Sequence, residues 1–119
     1  MSTNEKRTID SRMQARLDAR ARIVKAMGHP TRLFILEELG KGDRCVNELT
    51  EMIGADVSTV SKHLSLLKTA GIVQDRKKGS QVYYGLRVPC ILKFFDCIEA
   101  VLEANARAHA ELVSPRCPV

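Results

Sequence analysis

Two short runs of helically spaced apolar residues meet across a turn of three residues, and no other feature constrains this chain as tightly. Val46, Leu49 and Ile53 fall at i, i+3 and i+7 and stop at Gly54; Val57, Val60, Leu64 and Leu67 then repeat the pattern up to Gly71. Asp56 stands where its carboxylate can accept from the orphan backbone N–H groups of the second run. Two helices joined by a short glycine-containing turn make a helix-turn-helix, its second helix running from about Val57 to Ala70.

The faces of that second helix differ in chemistry. Its buried stripe is Val57, Val60, Leu64 and Leu67, while Ser58, Thr59, Ser61, Lys62, His63, Ser65 and Lys68 make a surface of short hydroxyls and cations. Such a surface fits a major groove about 12 Å wide and bonds both phosphates and base edges. Leu66 breaks the polar pattern. After Gly71 come a strand Ile72–Arg76, a turn at Lys77-Lys78-Gly79-Ser80, and a strand Gln81–Arg87 in which Val82, Tyr84 and Leu86 alternate with Gln81, Tyr83 and Gly85. A hairpin with a cationic tip directly behind the helix reads as a wing.

Charge is concentrated in the same stretch. From Val57 to Arg87 there are six cations, Lys62, Lys68, Arg76, Lys77, Lys78 and Arg87, against Asp75 alone. Of the totals of 19 Lys and Arg and 14 Asp and Glu, thirteen of each sign remain elsewhere, so this quarter carries the whole formal net charge of +5. A local excess of cations is what binding to a polyanion requires. The candidate contacts to double-stranded DNA are therefore Ser58, Thr59, Ser61, Lys62, His63, Ser65, Lys68, Arg76, Lys77, Lys78 and Gln81.

The remaining segments frame this core. Residues 1–10 are polar and aperiodic and read as an arm; residues 11–112 read as one winged helix-turn-helix domain; residues 113–119 read as a tail. A first helix from about Ser11 to Met27 carries Met13, Leu17, Val24 and Met27 at helical spacing, with Arg12, Arg16 and Arg20 as a solvated row. A second runs from Pro30 to Leu39 and is broken by Gly40-Lys41-Gly42-Asp43; it buries Leu33, Leu36 and Leu39 or their neighbours Phe34 and Ile35.

The last helix, from about Val88-Pro89 to Leu112, is some 34 Å long at 1.5 Å per residue. Its two adjacent stripes, Ile91-Phe95-Ile98-Leu102 and Cys90-Phe94-Cys97-Val101, form an apolar face too wide for a small domain to cover, which predicts an isologous homodimer through the terminal helices. The fold class is thus mainly α with a small β-hairpin: three helices, the recognition helix, two strands and a final helix. With 119 residues, 4% aromatic residues and no Trp, the core must come from Leu, Ile, Val, Ala and Met.

No apolar run approaches the roughly 20 residues that span a bilayer, and the polar start lacks a secretory signal, so the sequence predicts a cytoplasmic protein with no membrane partner. Its four cysteines include no C-x-x-C pair, which predicts free thiols. There is no phosphate-cradling glycine loop, no nucleophile elbow and no paired zinc-helix histidines, which argues against an enzyme. The competing class is a winged-helix module that binds a protein partner.

Three stretches carry a family resemblance: Gly28-His29-Pro30-Thr31-Arg32-Leu33-Phe34-Ile35-Leu36, Cys45-Val46-Asn47-Glu48-Leu49, and Ser58-Thr59-Val60-Ser61-Lys62-His63-Leu64 running on to Ala70-Gly71-Ile72-Val73. With the hairpin Gly79-Ser80-Gln81-Val82-Tyr83-Tyr84, the chain resembles the ArsR/SmtB family of metal- and metalloid-responsive repressors. The resemblance implies a dimer that occupies a palindromic operator and leaves it when an inducer binds. It further implies that Ser58, Thr59, Ser61 and His63 face the major groove and that Arg32 is structural.

Two ligand sites common in that family are broken. Cys45-Val46-Asn47-Glu48-Leu49 stands where the family pattern has Cys-Val-Cys-Asp-Leu, so Asn47 replaces a thiol; Val88, Cys90, Val101 and Ala104 occupy the positions of the zinc ligands of the last helix. Thiols remain. Cys90 and Cys97 share a helix face but lie about 10.5 Å apart along its axis, so a chelate needs a thiolate from elsewhere. The leading reading is a metalloid site of Cys45, Cys90 and Cys97, with Cys117 as a substitute, taking trivalent arsenic or antimony or a soft divalent metal as inducer and needing no cofactor to fold. A reversible disulfide or persulfide response and simple packing of the thiols stay open beside it.

Overall fold

The computed structural model describes residues 8–113. The elements are α1 (Ser11–Met27), α2 (Pro30–Lys41), β1 (Arg44–Cys45), α3 (Val46–Ile53), α4 (Val57–Thr69), β2 (Val73–Lys78), β3 (Gln81–Leu86) and α5 (Ile91–Val113). They fall into two compact units, one ending at Arg87 and the other beginning at Val88.

In the first unit each helix begins at a cap the sequence supplies. Asp10 accepts from the Met13 N–H at 2.8 Å to start α1, and the His29 ring accepts from Thr31 at 3.1 Å to start α2, whose first residue Pro30 has no N–H to leave unpaired. α3 ends at Gly54, whose φ of +77° is the left-handed conformation glycine adopts without strain, and this sharp reversal aims α4 across α3.

The core consists of Met27, Ile35, Leu36, Leu39, Leu49, Val60, Leu64, Leu67, Ile72 and Val73, with Cys45 beside them. A fully buried side chain of this kind stabilises the fold by about 1.5–3 kcal/mol, so the helix-turn-helix is held by its own apolar stripes. Glu38 is buried too, and it is paired with Lys41 at 3.0 Å and Arg44 at 3.7 Å.

Several boundaries differ from the sequence reading. α2 continues through Gly40 and Lys41 and stops at Gly42, because the last helical turn tolerates one glycine. Val57 is half exposed rather than buried: as the first residue of α4 it lies a turn ahead of the packed stripe. In α1 Leu17 and Val24 are exposed and only Met27 is buried. The strands run through Lys77 and Lys78, so Lys78 faces Gln81 and only Gly79 and Ser80 form the turn, with Gly79 at φ +61°.

A third strand, β1, carries no sequence signal, since two residues are too few to show a period. It pairs antiparallel with β3, Arg44 opposite Tyr84 and Cys45 opposite Tyr83, giving a sheet of order β1-β3-β2. The wing is thereby tied to the start of α3.

The second unit contains α5, which starts at Ile91 after a turn in which Ile91, Leu92 and Lys93 donate to Val88, Pro89 and Cys90. Phe94, Ile98, Val101 and Leu102 are exposed along it.

Candidate nucleic-acid interface

α4 presents the face the sequence assigns to DNA. Ser58, Thr59, Lys62, Ser65 and Lys68 are exposed, and Ser61 is half-buried at the margin of the Val60-Leu64-Leu67 stripe. Asp56 fixes the start of this helix: its Oδ1 accepts from the Thr59 N–H at 2.8 Å and from the Ser58 hydroxyl at 3.2 Å. The Thr59 hydroxyl and N–H, helped by Ser58 and the charge of Lys62, hold the Asp56 carboxyl below its ordinary pKa. The cap stays anionic, and Ser58 reaches a base or phosphate only by sharing its hydroxyl with it.

The wing adds Lys77, Lys78 and Gln81, all exposed, at the paired ends of β2 and β3. The Lys78 ammonium lies 5.5 Å from the centroid of the Tyr83 ring. Two other cations of the segment are engaged. Lys68 bonds Asp75 at 2.9 Å, and that bond together with the Asp75 charge raises the Lys68 pKa. Arg76 bonds Asp43 at 2.7 Å. Asp43 lies in the loop before β1, outside the segment singled out on charge, and it reaches Arg76 only because β1 joins the sheet. No sequence signal marks a pair 33 residues apart.

His63 departs from its assigned role. Its ring is half-buried and turned toward α2, where Nδ1 lies 3.0 Å from the Arg32 guanidinium and the ring centroid is 4.6 Å from that of His29. The cause is position: His63 sits next to Leu64 and three residues after Val60, both fully buried, so its side chain follows the packed side of the helix. Arg32 also donates to the Ala26 carbonyl, and so ties the end of α1 and the start of α2 to α4.

The thiols have distinct settings. Cys45 is buried and is the N-cap of α3; its N–H donates to the Glu48 carboxylate at 3.1 Å and its side chain faces the Glu48 N–H, completing a capping box. The Cys45 N–H first, then its thiol, then the Arg44 guanidinium hold the Glu48 carboxyl below its ordinary pKa. Cys90 and Cys97, in the second unit, are exposed and free. Cys117 lies outside the described residues. Within neither unit do three His, Cys, Asp or Glu side chains among the described residues gather as a metal-binding group.

Comparison with known proteins agrees with this architecture. Residues 29–75 match the model of the bacterial regulatory protein arsR family. Over 64% of this chain and 90% of the relative, the sequence is 42% identical to the HTH-type transcriptional regulator MJ1325 of Methanocaldococcus jannaschii. It is 37% identical to the HTH-type transcriptional repressor SmtB of Mycobacterium tuberculosis over 59% of this chain and 52% of that one. The chain thus spans about half the length of some of the curated relatives it matches. Among solved structures, the homodimeric winged helix-turn-helix DNA-binding domain of Mb0332 from Mycobacterium bovis superposes with a TM-score of 0.73 at 30% identity, covering 87% of this chain and 96% of that one.

Proposed function

We propose that this chain, which belongs to the arsR family of bacterial regulatory proteins, represses transcription as a homodimer on a two-fold operator and is released by an inducer that its thiols bind. The observation that carries the first half is the exposed face of α4, Ser58, Lys62 and Ser65, on the same compact unit as the cationic wing tip of Lys77 and Lys78. A dimer places two such helices one duplex turn apart. The exposed apolar residues of α1, Leu17, Ile23 and Val24, and of α5, Phe94, Ile98, Val101 and Leu102, supply the surfaces a second copy would bury. No helix among the described residues is long and apolar enough to cross a membrane, and a DNA reader works in the cytoplasm.

Fluorescence anisotropy with operator and random duplexes tests the reading. Tight operator binding that weakens steeply with salt supports it; equally weak, salt-insensitive binding to both duplexes favours a module for a protein partner.

For release, the donor chemistry is soft. Cys45, Cys90 and Cys97 are the candidate thiolates for trivalent arsenic, trivalent antimony or a soft divalent metal. A role for Cys45 in transmitting the event is supported by its two contacts: the residue that caps α3 also pairs with Tyr83 of the wing. The exposure of Cys90 and Cys97 also suits a second reading, reversible oxidation or persulfide formation. Arsenite titrated into the reduced protein on its operator separates the two. Release at stoichiometric arsenite supports metalloid sensing; retention, with release by diamide or persulfide, supports the redox reading. Single replacements of Cys45, Cys90 and Cys97 by Ser identify the thiols used.

A further inference from the structure

Three half-buried side chains, His29, Arg32 and His63, join α4 to the other helices of the first unit. The Arg32 guanidinium donates to the Ala26 carbonyl at the end of α1 and to Nδ1 of His63 on α4. Among the described residues the latter is the only side-chain hydrogen bond between α4 and another helix; the bond from Lys68 to Asp75 ties α4 to the wing instead. His29 completes the cluster: its Nδ1 accepts from the Thr31 N–H, and its ring lies against that of His63. Nδ1 of His63 accepts only while it carries no proton. A protonated ring has no partner here. From α2 it faces Arg32 and His29; on α1, Arg22 and Lys25 border the groove that Arg32 also lines; on α4 itself Lys62 precedes it. No carboxylate of α3, β2 or any other element lies within ion-pairing distance of the ring among the described residues. Burial first, then His29 and Arg32, lower the His63 pKa accordingly.

We propose that His63 is a proton switch on sequence recognition: the neutral ring, held by Arg32, seats α4 for base contacts, and its protonation frees that edge of the helix. The operator role rests on the DNA reading given above; the movement of α4 does not. In the switching step a solvent proton adds to Nδ1, and the Arg32 N–H that it displaces turns to water. Two cations then stand where one hydrogen bond stood, with the His29 ring closing the way toward α2, so the His63 ring leaves its contact. The stripe Val60, Leu64 and Leu67 anchors α4 independently of the ring, so the protonated chain keeps its fold while the polar edge of the helix shifts. Directional bonds to base edges suffer from such a shift, whereas phosphate contacts tolerate it and gain from the added cation. Acid therefore acts on the ratio of operator to random-duplex affinity.

Imidazole nitrogen and backbone amide NMR spectra of the full chain, recorded without DNA from pH 7.5 to 5, test the switch itself. At pH 7.5 Nδ1 of His63 should carry no proton, and the α4 amides should shift in step with the titration of its ring. A proton on Nδ1 at pH 7.5, or α4 amides that do not follow the ring, overturns the proposal. The operator role is read by anisotropy at fixed salt over the same pH range, with a duplex enriched from a random pool at pH 7.5 and a random duplex beside it. The affinity ratio should fall about tenfold in the wild type, the worth of one base contact, with random-duplex affinity unchanged or higher. His63→Gln offers Arg32 an amide oxygen that takes no proton, and should hold the ratio constant. His29→Asn keeps an acceptor for the Thr31 N–H and removes the neighbouring ring, so the fall should move to higher pH. A ratio that is flat in the wild type, or that falls equally in His63→Gln, overturns the operator role. A chain whose α4 follows the His63 proton but which prefers no duplex overturns the DNA reading and leaves the switch standing.

Discussion

The Arg32 guanidinium of α2 stands 3.0 Å from the Nδ1 of His63 on α4. Arginine only donates, so Nδ1 accepts and the His63 proton sits on Nε2. The contact thus requires a neutral ring. Burial, then the neighbouring His29, then the Arg32 charge lower the His63 pKa from its ordinary value of 6.5.

That shift fixes the sign of a pH effect. Above about pH 6.5 the ring is neutral in both the folded and the unfolded chain, and its contribution to stability is complete. As pH falls the unfolded chain takes up the proton more readily, so stability is lost until the folded ring also titrates. Urea unfolding between pH 7.5 and 5 should show a steeper loss in the wild type than in His63→Gln. Equal slopes would contradict the assignment of a neutral, contact-bound His63.

The cations of the interface should not contribute equally to DNA binding. Lys62 and Lys77 are exposed and without an ion-pair partner among the described residues, whereas Lys68 and Arg76 are bonded to Asp75 and Asp43. Lys62→Ala is expected to reduce the slope of log affinity against log salt by about 1, as for a phosphate contact, and Lys68→Ala by less. Asp75→Asn and Asp43→Asn release a cation each and should tighten binding to random duplex. Anisotropy titrations at several salt concentrations measure all four.

Gly85 carries a related prediction. A methyl group at this position would collide with the Asp43 carboxylate, which is itself held by Arg76. Gly85→Ala should therefore evict Asp43 and break its pair with Arg76. On random duplex it should mimic Asp43→Asn, and combining the two changes should add little beyond either alone.

Much of this was readable from apolar spacing. The stripe Val60, Leu64, Leu67 is buried as its period requires, and Asp56 caps α4 as its position before the stripe suggests. What escaped the sequence depends on contacts between distant segments. Asp43 meets Arg76 through the strand β1, whose two residues carry no period. The inward turn of His63 depends on Arg32, 31 residues away. Val57 fits the stripe by spacing and is still half exposed, because period alone does not say where the packed layer stops.

The same contrast gives a stability prediction. Leu64 and Leu66 are two residues apart on one helix, the first fully buried and the second 51% exposed. Leu64→Ala should cost about 2–5 kcal/mol, and Leu66→Ala should stay within about 0.5 kcal/mol. Denaturant unfolding of both variants measures the difference, and equal costs would mean that Leu66 is covered in solution.

Thiol reactivity offers a check on the path of release. Cys90 and Cys97 are exposed, while Cys45 is 6% exposed and engaged in the capping box at the start of α3. An alkylating reagent should therefore modify Cys90 and Cys97 first and reach Cys45 only when the beginning of α3 opens, a local event that costs less than global unfolding. Iodoacetamide labelling followed by peptide mass spectrometry gives the three rates. Once Cys45 is alkylated the box cannot reform, the Glu48 carboxylate loses its thiol partner, and the strand pairing of Cys45 with Tyr83 is strained by the added group. Operator affinity should accordingly fall in step with Cys45 modification in a Cys90→Ser/Cys97→Ser/Cys117→Ser background. Cys45 labelling as fast as the exposed pair, or complete labelling with operator binding intact, would remove Cys45 from the release mechanism and leave that role to α5.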